Sequence, residues 1–494
     1  MIYMIKNKKE SIWILVFVFS GIILASIYCM LNKKMITDIY LPAGLWNDEA
    51  FYYKQVEGMV KYGIPQGYFG YAETSAKYLT LGAWSPAILV PYVIWGKAFG
   101  WTLLSPIYCN LFLFTFSLLL FYLWVRPDKR QMMTFIMLLA CSPMVIRYII
   151  SGMTEAFFFS GAIIMCGILY KLNKEGKSFL FIVISYLLIG YFTLARPYII
   201  IILLVPFWFC RKQYSNKSGR VLLGTVFYAS IVMGMYMWLS KYLCAPFFKP
   251  LISSDVIDNF NQGIIHGIVG LFTKYFLGWK EIIGYCADAF TGADAGEYYL
   301  YFLAANFIML FLYLKDRKNY ILLYTLFCNF VIISAIIMLY ATRQGGRHLL
   351  MLHVWNIMII SMQKNIWGKS FFTAFLVLIL LVVPKNSYTY TIPYGDQTTI
   401  NENLKIKEEL QAVLHLEQDV GWNNTIAWIV DGEYGINYFL PSGFGININY
   451  DGIGYEEIKS KYILVKEEKD TNSLVKEKAE KIWQYNDYIL YKKR

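Results

Sequence analysis

Charged residues are scarce in this sequence. They make up 16% of its 494 residues, whereas 57% of the residues are hydrophobic. A soluble chain of this length would form about three domains with charged surfaces, which this composition excludes. Apolar runs of roughly 15 to 25 residues recur nearly from end to end, and a membrane-spanning helix needs about 20 such residues. The sequence therefore predicts a polytopic membrane protein that is mostly one all-α membrane domain.

Metal-binding cysteine motifs, internal repeats and a signal-cleavage site are also missing. Six of the eight cysteines lie within apolar runs and show no metal-type spacing, so we expect them to pack as small hydrophobic side chains. Cys244 and Cys286 share a hydrophilic stretch, where they could form a disulfide bond. The first apolar run, 12–31, follows the basic segment KNKKE and shows no small-residue cleavage site. We interpret it as a retained signal anchor.

The distribution of basic residues predicts the orientation of the chain. Short loops rich in Lys and Arg tend to stay in the cytoplasm. Here these segments are KNKK at 6, RPDKR at 126, KLNKEGK at 171, RKQYSNKSGR at 211, KDRK at 315 and QKNIWGK at 363. All lie on one side if the chain crosses the plasma membrane about eleven times and 84–99 lies along the membrane surface. The N-terminus is then cytoplasmic and the C-terminus external; Lys33 and Lys34 are the one objection to this scheme.

The predicted spans divide the chain into two domains. They lie near 12–31, 102–125, 132–149, 155–171, 178–194, 198–210, 221–240, 298–314, 319–341, 348–362 and 370–384. Residues 1–385 form the membrane domain, with external loops 32–101 and 241–297, and residues 386–494 form a small external α/β domain. The second domain is indicated by the helix-like stretch LKIKEELQAVLHL and the strand-like runs TIAWIV and KYILV.

Polar side chains gather on the predicted external side. Polar groups at membrane depth are costly, so those at the ends of spans are functional candidates. They are Asp48 and Glu49 in the first external loop, Arg147, Glu155 and Arg196 at the ends of spans, and Arg343, Arg347 and His348 in the segment ATRQGGRHLLMLH. Acidic and basic groups on one face suit a substrate that carries a nucleophile at one end and an anionic group at the other.

Several short motifs occur in an order that one enzyme class shares. They are NDEAFYY with Asp48, Glu49 and Tyr52, the surface segment WSPAILVPYVIWGKAFG, SPMVIRYIISGMTEAFF with Glu155, LARPY with Arg196, the Arg-rich turn RQGGRHLLMLHVW, and the closing KYILVKEE and YNDYILYKK. Together they resemble the GT-C class of integral membrane glycosyltransferases, in particular the bacterial protein O-mannosyltransferase and aminoarabinose transferase family. Many members of that family begin the surface helix with Lys-Pro-Pro, where this chain has WSP. Lys77, slightly upstream, could take the place of that lysine.

The resemblance implies transfer of a sugar from a polyprenyl-phosphate donor to an acceptor on the outer face of the membrane. The acceptor would be a cell-wall polymer, a glycolipid or a protein. The resemblance also implies a role for each residue of the site. The catalytic pair would be Asp48, as general base, and Glu49, as its structural or acceptor-orienting neighbour. Glu155 would be the second acidic group, together with Tyr52. The groups that bind the donor phosphate would be Arg343, Arg347, Arg196, His348 and Lys77.

The chemistry of such a transfer is consistent with these roles. A carboxylate with an ordinary pKa of about 4 is a weak base for an attacking hydroxyl, unless a partly dry cleft raises that pKa. The lipid phosphate departs as a stable anion and needs no proton donor, so one carboxylate suffices where a glycosidase uses two. A guanidinium can receive that phosphate through two parallel hydrogen bonds.

Each residue also has an ordinary structural explanation. The two acids of NDEAFYY could be solvated or cap a helix, and Glu155 could cap the span that follows it. Arg147 and Arg196 could snorkel to the membrane interface, and the two arginines of RQGGRH could bind lipid headgroups.

No cofactor is evident in the sequence. His348 and His353 lie five positions apart and do not share a helix face, so they indicate no metal site. Asp288, Asp294 and Glu297 in the second external loop could bind a divalent cation. The alternative is that this loop caps the cleft.

Two other functions fit the composition. A flippase or transporter of a lipid-linked sugar would need polar groups near the middle of spans and internal symmetry, and neither is evident. A polysaccharide polymerase or ligase would use Arg and His in a large external loop, where His266 is the only histidine.

The predicted partners are the donor lipid, the acceptor and the membrane, and we expect no nucleic-acid partner.

Overall fold

The structure is a computed structural model. It describes residues 8–41, 47–63, 69–71, 73, 85–175, 179–213, 217–243, 254–291, 296–339, 346–383, 391–418, 422–430, 435–449, 454–466 and 472–494. Within these ranges the chain forms a bundle of apolar helices and a small C-terminal sheet. The predicted combination of the two is therefore confirmed.

The helices of the bundle follow one another closely along the chain. They are α1 (Lys8–Val18), α2 (Ser20–Leu31), α3 (Asn47–Tyr62), α4 (Val90–Phe99), α5 (Ser105–Val125), α6 (Lys129–Ala140), α7 (Pro143–Ile149), α8 (Glu155–Glu175), α9 (Phe179–Ala195), α10 (Leu204–Gln213), α11 (Ser218–Leu243), α12 (Ser254–Asn261), α13 (Ile264–Asp288), α14 (Gly296–Lys315), α15 (Tyr320–Leu339), α16 (Leu349–Met362) and α17 (Ile366–Val382). A 3-10 segment, Pro197–Leu203, precedes α10. It starts at a proline, which cannot continue the α9 hydrogen-bond pattern.

Five helices are long and apolar enough to cross a membrane, namely α5, α8, α11, α14 and α15. Two pairs of helices reach the same length together but are bent, by 67° between α1 and α2 and by 82° between α6 and α7. Counting each bent pair as one span gives up to seven spans among the described residues. The chain is a multi-pass membrane protein. The total of about eleven spans and their orientation also depend on shorter apolar helices and stay predictions.

The sharpest of these bends divides a span that the sequence analysis predicted to be continuous, 132–149. Pro143 begins α7, and its missing N–H interrupts the helix. The imidazole Nε2 of His353 lies 2.9 Å from the Ser142 hydroxyl, and the Tyr301 hydroxyl donates to the Cys141 carbonyl at 3.3 Å. Side chains from neighbouring helices thus bond the polar groups at the break, as a membrane requires.

Three asparagines meet inside the bundle, near the middle of α14, α15 and α16. The Asn329 amide donates to Asn306 Oδ1 at 2.9 Å and to Asn356 Oδ1 at 2.8 Å. The expectation that polar groups are absent from mid-span is therefore wrong. Amide hydrogen bonds between helices stabilise their packing in membranes. Because these amides are neutral and bond to one another, they explain helix association and do not indicate a transport path.

The predicted external loop 241–297 contains two helices, α12 and α13. Helix α13 packs against α14 and α15, and a Cβ on Gly278 would lie 2.4 Å from a methyl carbon of Ile337. Its exposed apolar side chains recur at helical spacing, at Ile265, Val269, Phe272 and Phe276. Such a face is typical of contact with lipid. Whether the segment caps the cleft stays a prediction, and the disulfide predicted for Cys244 lies outside the described residues.

The C-terminal sheet has six strands in the order β1-β3-β2-β4-β6-β5. Its elements are β1 (Phe69–Tyr71), β2 (Thr425–Ile429), β3 (Gly445–Ile448), β4 (Tyr462–Lys466), β5 (Ala479–Tyr485) and β6 (Tyr488–Lys493), with helices α18 (Gln397–Val413) and α19 (Asn472–Lys478). The first four strands in this order are parallel, and β6 and β5 complete an antiparallel edge. Strand β1 comes from the predicted first external loop, 32–101, so the sheet joins residues from both predicted domains.

Candidate active site

Helix α3 carries two adjacent carboxylates in its first turn, Asp48 and Glu49. The positive end of the helix dipole favours negative charge there. Neighbouring positions on a helix point roughly 100° apart, and the two side chains accordingly have different surroundings. The Asp48 side chain is 37% exposed, whereas Glu49 is only 2% exposed. Of the two, only Asp48 can reach a substrate without a change in structure.

Asp48 pairs directly with Arg347. The guanidinium Nη2 lies 2.7 Å from Asp48 Oδ2, and the arginine side chain is itself 27% exposed. Arg347 belongs to the 3-10 turn Gly346–His348, which leads into the fully buried helix α16. The sequence predicted that the two residues lie on the same side of the membrane, and the structure brings them into contact.

Glu49 faces the turn between α7 and α8. Its Oε1 accepts a hydrogen bond from the Gly152 N–H at 2.9 Å. A Cβ at position 152 would lie 3.2 Å from Glu49 Cβ, closer than nearly all such contacts. The Asn110 amide donates to the Ser151 and Met153 carbonyls at 2.9 and 3.2 Å, which fixes the turn. Glu49 is therefore a buried anchor that holds the start of α3 against this turn.

Burial also changes the acidity of Glu49. Loss of solvent raises its pKa to about 7, although the Arg147 guanidinium and the Gly152 hydrogen bond act in the opposite direction. Arg147 is 1% exposed and donates from Nε to the Thr391 carbonyl at 2.7 Å. It therefore does not snorkel to the interface, as one interpretation of the sequence allowed.

A second ion pair, between Glu155 and Arg196, is fully buried. The Arg196 Nη2 donates to Glu155 Oε1 at 2.8 Å, with side-chain exposures of 4% and 2%. The guanidinium also lies 3.8 Å from the centre of the Phe158 ring, in cation–π contact. Glu155 Oε2 has no hydrogen-bond partner among the described residues. Snorkelling is thus excluded for Arg196 as well.

The two ion pairs belong to one electrostatic cluster. Burial alone would lower the pKa of Arg347, but the carboxylates of Asp48 and Glu155 raise it well above its ordinary value. Burial likewise raises the pKa of the Tyr52 hydroxyl, and Asp48 adds to that effect. The Tyr52 hydroxyl thereby stays protonated, and the charged groups of both pairs act on it electrostatically. The cluster thus contains one partly exposed carboxylate, Asp48, and one partly exposed guanidinium, Arg347. The ion pair between Glu155 and Arg196 in the same cluster is buried, and its two charges balance.

His348 lies at the edge of this cluster. Its Nδ1 is 3.1 Å from the Tyr198 hydroxyl, and the two rings meet edge to face at 5.9 Å between centroids. The histidine is buried. A role in phosphate binding stays a prediction for it.

Other predicted site residues fall outside the described ranges. These are Arg343, Lys77 and Asp294, so their predicted roles in phosphate and cation binding stay predictions. In the described part of the chain, no group of three or more His, Cys, Asp or Glu side chains is arranged to hold a metal ion. Glu297, the third predicted cation ligand, is buried in the first turn of α14.

No family model matches the chain, and no curated protein matches it. Solved structures match almost its whole length. Two of them are crystal structures of ArnT from Cupriavidus metallidurans, one bound to undecaprenyl phosphate and one in the apo state. The first covers 97% of each chain at 10% identity, the second 98% of each chain at 9% identity, and both have a TM-score of 0.44. A likeness of this degree defines neither ligands nor site residues for this chain.

Two residues of the site were missed from the sequence, Asn110 and Gly152. Asn110 is a single amide within the apolar run of α5, and a polar side chain at membrane depth is a signal of function or packing. Gly152 follows a serine between two apolar segments, which indicates a turn. Neither pattern reveals that the turn is the partner of Glu49.

Proposed function

We propose that this chain transfers a sugar from a polyprenyl-phosphate donor to an acceptor at the outer face of the membrane. Asp48 is the general base and Arg347 holds the donor phosphate. The observation that carries the proposal is the 2.7 Å contact between these two partly exposed groups. The motif resemblance of the sequence supports the same reaction. The acceptor is a cell-wall polymer, a glycolipid or a protein.

In the proposed reaction, a hydroxyl of the acceptor attacks the anomeric carbon of the sugar. Asp48 takes the hydroxyl proton while the new carbon–oxygen bond forms. The bond between the anomeric carbon and the phosphate oxygen breaks, and its electron pair leaves with the lipid phosphate. Arg347 stabilises the charge that develops on that oxygen, because a guanidinium donates two parallel hydrogen bonds to phosphate oxygens.

Asp48 and the donor phosphate compete for the same guanidinium. The ion pair between Asp48 and Arg347 is partly exposed, and exposed pairs contribute only about 0.2–1 kcal/mol. A phosphate can therefore displace the carboxylate at small cost. Displacement frees the lone pairs of Asp48 for the acceptor hydroxyl. We accordingly propose that the donor binds before the acceptor.

The buried ion pair between Glu155 and Arg196 forms one rigid side of the site. Arg196 is engaged with Glu155 and Phe158, so we propose that it orients Glu155 and leaves the phosphate to Arg347. Glu155 is itself buried, so we propose that it acts on the site through its charge, which helps to raise the pKa of Arg347. The neutral Tyr52 hydroxyl can donate to the sugar or to the phosphate.

Replacing Asp48 with Asn tests the proposal. The substitution keeps the shape of the side chain and removes its basicity, so transfer falls by about 100- to 10,000-fold. Cells that carry only this variant accumulate unused polyprenyl-phosphate sugar, which mass spectrometry of extracted membrane lipids measures. The matched control is Asp487→Asn on the exposed surface of the C-terminal domain, where the same chemical change leaves the lipids as in the wild type.

The leaflet on which the donor accumulates, measured in intact cells of the same variant, separates transfer from transport. A flippase that lost its function would leave donor on the cytoplasmic leaflet, whereas a transferase leaves it on the outer leaflet. Normal protein levels with unchanged lipids and products in Asp48→Asn cells contradict the proposal. Accumulation restricted to the cytoplasmic leaflet favours the transport alternative.

A further inference from the structure

Helix α3 rests on the C-terminal domain along its second half. The Lys54 side chain is 9% exposed, pairs with Glu57 and donates a hydrogen bond to the Leu440 carbonyl at 2.6 Å. One and a half turns from the carboxylates, this lysine is thus joined to a backbone atom 386 positions away in the chain. A buried lysine is costly unless it is paired and bonded. Its position therefore fixes one geometry between the helix and the domain.

Aromatic contacts extend the same surface. The Tyr53 ring packs against Tyr438 at 5.0 Å between centroids, and the Tyr62 hydroxyl donates to the Ser442 carbonyl at 3.1 Å. Positions 438 to 442 form one continuous stretch, the same one that Lys54 contacts. The helix is consequently held at several points over about three turns.

The loop that follows α3 is bound to the same domain by Glu73. Its carboxylate accepts hydrogen bonds from the Lys459 and Ser460 N–H groups, both at 2.9 Å, and from the Ser460 hydroxyl at 3.0 Å. The Glu73 N–H donates to Asn447 Oδ1 at 3.0 Å. Glu73 is 2% exposed and has a φ of 53°, a left-handed conformation that few glutamates adopt. The surrounding bonds must hold it there.

Strand β1 lies between these two attachments. It pairs in parallel with β3, with Phe69 opposite Ile446 and Tyr71 opposite Ile448. The sheet therefore gains an edge strand from the chain that leaves α3. Helix, strand and Glu73 together attach one continuous piece of the first external loop to the C-terminal domain.

We propose that Lys54 and Glu73 are positioning residues, through which the C-terminal domain sets the place of Asp48 opposite Arg347. Neither side chain contacts Asp48 or Arg347, and both act through the pose of α3. This inference rests on the proposed function for its catalytic readout. It assigns the external domain a role in the reaction itself, as the support against which the catalytic helix is aligned.

The expected loss of activity follows from how accurately an active site must place its reacting groups. A misplacement of a reacting group by about 1 Å can lower a rate by roughly 100-fold. Lys54→Met keeps the length of the side chain and removes the bonds to Leu440 and Glu57, whereas Lys54→Arg keeps a donor. We expect Lys54→Met and Glu73→Gln each to lower kcat by about 10- to 100-fold, with a much smaller change in the KM for the donor. We expect Lys54→Arg to keep most of the activity that Lys54→Met loses. The matched controls are the exposed substitutions Lys405→Met and Glu408→Gln on α18.

The attachment of β1 to the C-terminal sheet is measured with a disulfide between the paired strands β1 and β3. Neighbouring strands lie about 4.8 Å apart, within the range of roughly 4.4–6.8 Å that a disulfide requires between Cα atoms. The pair Tyr71→Cys and Ile448→Cys is made in the full-length protein, oxidised in membranes, and the crosslinked peptide is quantified by mass spectrometry. We expect nearly complete crosslinking in this background and several-fold slower crosslinking when Glu73→Gln is added. Oxidation restores kcat of the Glu73→Gln variant, and a reductant removes it again.

Two results overturn the inference. One is wild-type crosslinking and wild-type kcat in both Lys54→Met and Glu73→Gln. The other is a lower kcat that the disulfide does not restore. If the unsubstituted protein transfers no sugar, the proposed function fails, while the crosslinking rate of Glu73→Gln still decides whether Glu73 docks the loop.

Discussion

Replacing Arg196 with methionine removes one partner of the buried ion pair. Its Nη2 lies 2.8 Å from Glu155 Oε1, and the two side chains are 4% and 2% exposed. The remaining carboxylate would be buried without its direct partner, which costs about 3–5 kcal/mol of unfolding free energy. Replacing both partners, Glu155→Leu with Arg196→Met, removes that carboxylate as well. We expect the double variant to recover most of the lost stability.

The assay is thermal unfolding of purified protein in detergent, followed by the fraction that stays monodisperse after heating. We expect Arg196→Met to unfold several degrees below the wild type and the double variant close to it. Arg211→Met, an exposed arginine at the end of the bundle helix α10, is the control and leaves the midpoint unchanged. The reasoning is refuted if Arg196→Met unfolds at the wild-type temperature, or if the double variant is as unstable as the single one.

Two further predictions concern the anchor at Glu49. Gly152→Ala adds a Cβ 3.2 Å from Glu49 Cβ and should cost about 1–3 kcal/mol and lower transfer. Gly224→Ala, inside α11 with open space around it, should not destabilise the protein and should leave transfer unchanged. The pKa of Glu49 is about 7 in the folded protein, against an ordinary value of 4.5 when the chain is unfolded. Its protonated form therefore stabilises the fold at low pH, and this contribution is lost as pH rises from about 4.5 to about 7. Unfolding midpoints measured across this range should fall in the wild type and fall less in Glu49→Gln; equal slopes contradict the assignment.

The bundle was largely predictable because apolar length is a strong signal. Helices α5, α8, α11, α14 and α15 each satisfy it alone. Helix α13 was missed as a helix, since Lys274, Lys280 and Glu281 interrupt its hydropathy. Its apolar side chains nevertheless recur at helical spacing. Periodicity was the better guide in that segment.

Which side chains share the site was only partly predictable. The distribution of basic loops predicts that Asp48 and Arg347 lie on the same side of the membrane, but their contact depends on how α3 and α16 pack. The difference between Asp48 and Glu49 follows from helix geometry, whereas the partner of Glu49 depends on a turn about 100 positions away, a long-range contact that no local pattern reveals. Strand β1 has three residues, too few for a period to be recognised.

The most direct test of the central claim is the binding of polyprenyl phosphate to Asp48→Asn. In the proposed mechanism, Asp48 competes with the phosphate for Arg347 and serves the reaction only as a base. Purified Asp48→Asn should therefore bind polyprenyl phosphate as tightly as the wild type, or up to about fivefold more tightly, while its transfer rate falls by about 100- to 10,000-fold. Arg347→Ala should lose that binding. Weak binding by Asp48→Asn, or transfer at the wild-type rate, would contradict the account.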